Sequence, residues 1–111
     1  SPKVWPLWLC PVKKMNRDQI FSPHNTSTSD SYFTNFGIYG IPGKSSPISE
    51  LTKALELEVA KLEGRKVLYS KSYYTPEEFW NIYSKVAYDA LRKKYHADGT
   101  WLSIEQKLLD T

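Results

Sequence analysis

Cysteine is nearly absent from this chain: Cys10 is the only one in 111 residues. A lone thiol excludes an internal disulfide and fits a reducing compartment. Placed in an apolar stretch, it is also a poor candidate for a reactive thiolate. Histidine is almost as scarce. His24 and His96 lie far apart, with no clustered Cys, Asp or Glu at ligand spacing, so no metal site is expected. No apolar run approaches the roughly 20 residues that cross a bilayer. The first residues lack the basic, apolar and small-residue zones of a signal peptide. There is no initiator Met, and Ser1-Pro2 reads as the edge of a fragment. The expected location is intracellular, either cytoplasmic or membrane-associated through segments outside this chain. Charge of one sign is missing too. Fifteen basic residues stand against twelve acidic ones, a net +3 spread along the chain, so no nucleic-acid partner is expected.

Phosphate-cradling glycine motifs fail on spacing. Gly43-Lys44-Ser45 matches the end of a P-loop, but that pattern needs glycine where Ile38 stands. Gly37, Gly40 and Gly43 do not give the dinucleotide spacing either. An RNA-stacking sheet would need a basic-aromatic signature on a strand, and no segment spells one.

Aromatic residues, by contrast, are abundant, at 14% with eight Tyr and four Trp. Such an excess suits interfaces and ligand pockets. Residues 4–13, VWPLWLCPVK, concentrate it. Pro6 and Pro11 exclude a helix there, so an extended strand is expected. One face carries Val4, Pro6, Trp8, Cys10 and Val12, and the other carries Trp5, Leu7, Leu9 and Pro11. Both faces are apolar, so both should be covered, and the prolines place the strand at an edge or bulge.

Residues 13–31 are polar and read as a surface loop. Residues 32–43, YFTNFGIYGIPG, read as a strand, in which Gly37 and Gly40 mark a bulge or a close approach. Ser46 as N-cap and Pro47 in the first turn open a helix. Its apolar stripe is Ile48, Leu51, Leu55, Val59 and Leu62, with Gly64 as the stop. Residues 66–74 read as a further strand. Thr75-Pro76-Glu77-Glu78 spells a capping box. It opens a helix that buries Phe79, Tyr83, Val86, Ala87, Ala90 and Leu91, carries Arg92, Lys93 and Lys94 near its end, and stops at Gly99. Ser103 and Gln106 open a short last helix. The expected fold is α+β: one domain over 1–111, with a small antiparallel or mixed sheet in ferredoxin-like β-β-α-β-α order. Helices would pack on one face, leaving the other open.

If residues 67–73 alternate, Tyr69, Lys71 and Tyr73 share one strand face. Lys71 is then either an edge residue with its ammonium in water or a polar group set into a pocket. The residues alone favour the edge.

Three segments carry a family resemblance: VWPLWLCPVK, NFGIYGIPG and LYSKSYYTPEEFWNIY. From residue 4 to about 95 the chain resembles the C-terminal part of Delta24-sterol reductases of the 24-dehydrocholesterol reductase and DIMINUTO type, within the vanillyl-alcohol-oxidase-like flavoproteins. The resemblance implies a cap, or substrate, domain packed over a flavin that an upstream FAD-binding domain holds. It implies reduction of a carbon–carbon double bond in a sterol or other apolar small molecule, with FAD as cofactor and NADPH as reductant. The isolated fragment would be inactive, and no catalytic residue is assigned. By position, Phe36, Ile38, Gly40, Tyr69, Lys71 and Tyr73 would face flavin or substrate, while Trp5 and Trp8 would meet the neighbouring domain. The alternative is a non-enzymatic ligand- or protein-binding domain with the same fold.

Overall fold

In the computed structural model, residues 6–15, 19–24, 29–40 and 47–109 are described. Strand β1 (Leu7–Lys13) pairs antiparallel with β2 (Tyr32–Ile38), Leu7 opposite Ile38 and Lys13 opposite Tyr32. The ladder continues past both ends: the Lys14 N–H donates to Ser31 O at 2.9 Å, and the Tyr39 N–H donates to Pro6 O at 3.3 Å. Hydrogen-bonded pairs alternate along such a ladder. Pro11, opposite Thr34, therefore falls on a non-bonded pair, and its missing N–H points away from β2. This is how a proline sits inside the strand without breaking it.

The two faces of the ribbon differ. Cys10, Val12, Phe33 and Gly37 are half-buried on one. On the other, Leu7, Leu9, Pro11, Tyr32, Phe36 and Ile38 are all exposed. Gly37 is a close-approach site: a Cβ there would lie 2.9 Å from the Tyr39 ring and 3.0 Å from Trp8 Cβ. Gly40 has φ 129, a conformation suited to glycine.

The expectation of a purely polar surface loop over 13–31 needs correction at 19–24. Ser22 and His24 are buried. The His24 ring stacks on Phe33 with centroids 4.7 Å apart, and its Nε2 accepts the Met15 N–H at 3.2 Å. Phe21 packs against Tyr83 and Tyr88, with centroids 5.6 and 5.5 Å away. This turn joins the ribbon to the helices.

Helix α1 (Ile48–Lys61) starts one residue later than expected, with Pro47 as its N-cap; Ser46 lies outside the described residues. Its stop is also displaced. Glu63, not Gly64, takes the left-handed conformation at φ 56. The Glu63 N–H donates to Ala60 O at 3.0 Å and the Gly64 N–H to Val59 O at 2.8 Å, a Schellman closure. Gly64 is needed for space, because a Cβ would sit 2.9 Å from Val59 Cγ1.

The apolar stripe of α1 is covered only in part, with Leu51 and Val59 half-buried. Ile48, Leu55 and Leu62 are exposed, and Glu56 is the buried residue of the helix. Residues 66–74 form no strand. Their only ladder contact among the described residues is a parallel bridge from Ser72 to Leu109, with the Ser72 N–H on Leu108 O at 2.7 Å. The ferredoxin-like order is therefore replaced by a two-stranded antiparallel ribbon followed by four helices. No helix packs broadly on the ribbon, so the expected helical layer on the sheet is absent among the described residues.

The capping box at Thr75 opens α2 (Pro76–Ile82) as expected. The long helix then breaks. Tyr83 is extended (ψ 146), and Ser84 caps a new helix, α3 (Lys85–Lys94). The break keeps Phe79 and Tyr83 fully buried but turns Val86, Ala90 and Leu91 outward. Helix α3 stops at His96, left-handed at φ 52, before Gly99 is reached. Ser103 and Gln106 form the box that opens α4 (Ile104–Leu108). The buried apolar residues are Tyr74, Phe79, Tyr83 and Leu109, with Phe21, Leu68, Trp80, Ile82 and Ile104 packed around them. That core is small. The radius of gyration, 15.6 Å, exceeds the ~13 Å usual for a compact chain of this length.

Candidate ligand-facing surface

The sequence-predicted site residues fall into two groups. Phe36 and Ile38 stand on the open face of the ribbon beside Leu9 and Leu7, their cross-strand partners. Phe36 is 66% exposed. Gly40 follows just beyond the strand and is exposed. Trp8 lies on the opposite face and is also exposed; Trp5 lies outside the described residues. The second group sits on the 66–74 loop. Tyr69 is 78% exposed, Lys71 is exposed and Tyr73 is half-buried. The Lys71 ammonium lies 5.6 Å from the Tyr73 ring centroid. Strand alternation does not hold these three, since there is no strand. The structure does not gather the two groups round a common cavity. Two concave depressions occur on the described surface, one between α1 and α2 near Gly64 and one by Leu68, Tyr88 and Leu102. Neither is lined by a predicted site residue.

What organises the loop is a group that reading the sequence missed. The Glu56 carboxylate accepts from Lys66 Nζ at 2.6 Å, Ser72 Oγ at 2.8 Å and the Tyr73 N–H at 2.9 Å. Its backbone carbonyl accepts from the Tyr74 hydroxyl at 2.9 Å. Lys66 Nζ also donates to Lys71 O at 2.6 Å, and the Tyr83 hydroxyl donates to Lys66 O at 2.8 Å. Burying a carboxylate is costly unless it is paired and fully hydrogen-bonded, and here both oxygens are used. The available signal was a glutamate flanked by Leu55 and Leu57. Nothing local marks it as buried.

The tyrosyl groups beside this network do not serve as acids at neutral pH. Burial, and then the Glu56 charge, hold the Tyr74 hydroxyl far above its usual range. Burial pushes Tyr83 up to about 12, against opposing contributions from Arg65 and the hydrogen bond to Lys66. Among the described residues, no three His, Cys, Asp or Glu side chains converge to hold a metal. No described helix is long and apolar enough to cross a membrane.

For a flavin, the described residues fit one role only. The open face of Leu7, Leu9, Phe36 and Ile38 can wall a flat apolar ring or a sterol skeleton. The Gly-Lys-Ser stretch, the one sequence feature close to a phosphate loop, lies outside the described residues. The chain thus offers an α+β unit with a small core and an exposed apolar sheet face.

The chain is a distant homologue, over 95% of its length, of about a fifth of the Delta(24)-sterol reductases. The Arabidopsis thaliana Delta(24)-sterol reductase is 28% identical over 95% of this chain, a match covering 22% of that protein. The Homo sapiens Delta(24)-sterol reductase is 26% identical over 95% of the chain and 20% of its own length. A Delta(24)-sterol reductase homolog of Caenorhabditis elegans is 25% identical over 78% of the chain and 16% of its own length. No family model matches the chain, and no solved structure does.

Proposed function

We propose that this chain is the substrate-facing cap segment of an FAD-dependent oxidoreductase of the Delta(24)-sterol-reductase type. The exposed apolar face of the ribbon carries the reading. A face bearing Leu7, Leu9, Tyr32, Phe36 and Ile38 serves a chain whose sheet is completed by an upstream domain, and homology to a fifth of a longer enzyme supports the same arrangement. Phe36, Ile38 and Gly40 would wall the apolar substrate, with Tyr69, Lys71 and Tyr73 at its margin. Trp8, on the opposite face of the ribbon, and Trp5 would meet the neighbouring domain. Lys71 brings a positive charge beside an aromatic ring, suited to an electron-rich ring system or a polar end of the substrate. A flavin bound by the upstream domain would supply the hydride that, with one proton, saturates a carbon–carbon double bond, NADPH being the reductant. Without the flavin of that upstream domain, the chain alone would be inactive.

The test is the visible spectrum of the protein encoded by the full reading frame that contains this chain. A yellow protein, bleached by NADPH and recoloured by a sterol with a side-chain double bond at carbon 24, is the expected result. A folded protein that stays colourless after added FAD overturns the reading and leaves a non-enzymatic ligand- or protein-binding domain in its place.

A further inference from the structure

We infer that Glu56 is a positioning residue whose single carboxylate ties both ends of the 66–72 loop and so fixes how Tyr69 and Lys71 are displayed. The inference rests on reading that loop as ligand-facing, and goes beyond it by naming what sets its shape. The loop leaves α1 after Gly64 and returns at Ser72. At its start, the Lys66 ammonium reaches Glu56 Oε1 at 2.6 Å. At its end, Ser72 Oγ reaches the same oxygen at 2.8 Å, and the Tyr73 N–H reaches Oε2 at 2.9 Å. Lys66 also spans the loop directly, donating to Lys71 O at 2.6 Å. The base of the loop is thus drawn together on one buried side chain of α1.

Between the ties the Lys71 ammonium lies over the Tyr73 ring. The Tyr69 N–H turns back to Val67 O at 3.1 Å, and Leu68 packs against the core. Val67, Tyr69, Ser70 and Lys71 are exposed. A segment with few buried contacts opens locally unless its ends are held, and a ligand-facing side chain needs its supporting residues locked. Glu56 provides that lock from α1. The helix gives up a conventional apolar contact to do so, turning Ile48, Leu55 and Leu62 outward.

Peptide-resolved amide hydrogen exchange on the purified protein tests this. In Glu56→Ala, the amides of residues 69–73 should exchange at least tenfold faster, with those of α3 unchanged. Glu56→Gln keeps one acceptor oxygen, enough for the Tyr73 N–H, while its NH2 can only donate to Ser72 Oγ and the ion pair with Lys66 is lost; it should fall between the two. Unchanged exchange at 69–73 overturns the inference, and so does an equal acceleration of α3, which would make Glu56 a general fold contact. If Glu56→Ala fails to fold, Ser72→Ala and Lys66→Met each remove one tie and must loosen the same residues. The ligand-facing reading is judged separately, by the KM for a Delta24 sterol in the full-length flavoprotein carrying Glu56→Gln. A loosened loop with unchanged KM leaves the positioning role standing and removes the ligand-facing reading alone.

Discussion

The Tyr83 hydroxyl donates to the carbonyl of Lys66 at 2.8 Å from the first of the two extended residues between α2 and α3. One buried phenol thus ties the helical break to the start of the loop displaying Tyr69. Tyr83→Phe removes the donor and leaves a carbonyl short of a partner, at a cost of about 1 kcal/mol. Urea unfolding of the two proteins at neutral pH measures it. Tyr83→Ala also opens a cavity and should cost about 3–5 kcal/mol, enough to abolish cooperative unfolding.

The same phenol sets an alkaline limit. Burial pushes it from the ordinary tyrosine pKa near 10.0 up to about 12. Above pH 10 the unfolded state releases this proton more readily than the folded state. The contribution is therefore complete below pH 10 and declines as pH rises towards 12. Stability measured from pH 8 to 12 should fall in that window, and less steeply in Tyr83→Phe. Equal slopes would contradict the assignment.

An acid limit lies at the start of α2. The Lys53 ammonium, bonded to the Glu78 side chain, and then the Thr75 N–H hold the Glu78 carboxyl below its usual value. The contribution is present above the unfolded carboxylate pKa and is lost as pH falls through the depressed one. Glu78→Gln should weaken the protein at pH 7 and flatten the decline between pH 5 and 2 in a urea series. Thr75→Ala, which removes the reciprocal acceptor at 3.2 Å, should cost about 1 kcal/mol.

Helix α1 ends on a residue that dislikes its conformation. Glu63 sits at φ 56, where a side chain is strained and glycine is not. Glu63→Gly should stabilise the fold by about 0.5–1 kcal/mol, read as a higher thermal midpoint. Gly64→Ala, one residue on, should do the reverse, because its Cβ would press on Val59.

The open ribbon face gives a prediction about solubility. Leu9 and Phe36 are a cross-strand pair, 62% and 66% exposed. Replacing Leu9 by Lys and Phe36 by Glu, an opposite-charge pair, should lower binding of an apolar fluorescent dye and reduce self-association, while shifting stability by no more than about 0.5 kcal/mol. A large loss of stability would mean that the face is already covered.

Local chemistry was legible wherever its partners lie within a turn. The boxes at Thr75 and Ser103, the Pro-bearing strand apolar on both sides, and the close approach at Gly37 were all readable from neighbouring residues. The break at Tyr83 was less so. A continuous apolar periodicity from Phe79 to Leu91 hid it, although Ser84 is a capable cap. The stripe of α1 misled in part, Leu51 and Val59 being half-buried but Ile48, Leu55 and Leu62 exposed, because hydrophobic spacing gives the direction of a face but not what that face meets.

By itself the sequence determined the kinds of element available, the sites of their caps, and the presence of more apolar strand surface than this chain can cover. The tertiary structure decided which face of α1 turns inward and whether 66–74 joins a sheet. Both outcomes depend on Glu56 meeting Lys66, Ser72 and the Tyr73 N–H, groups 10 to 17 residues away in sequence. A buried carboxylate gains from such donors only once the chain has folded back on itself, and no local propensity encodes that encounter.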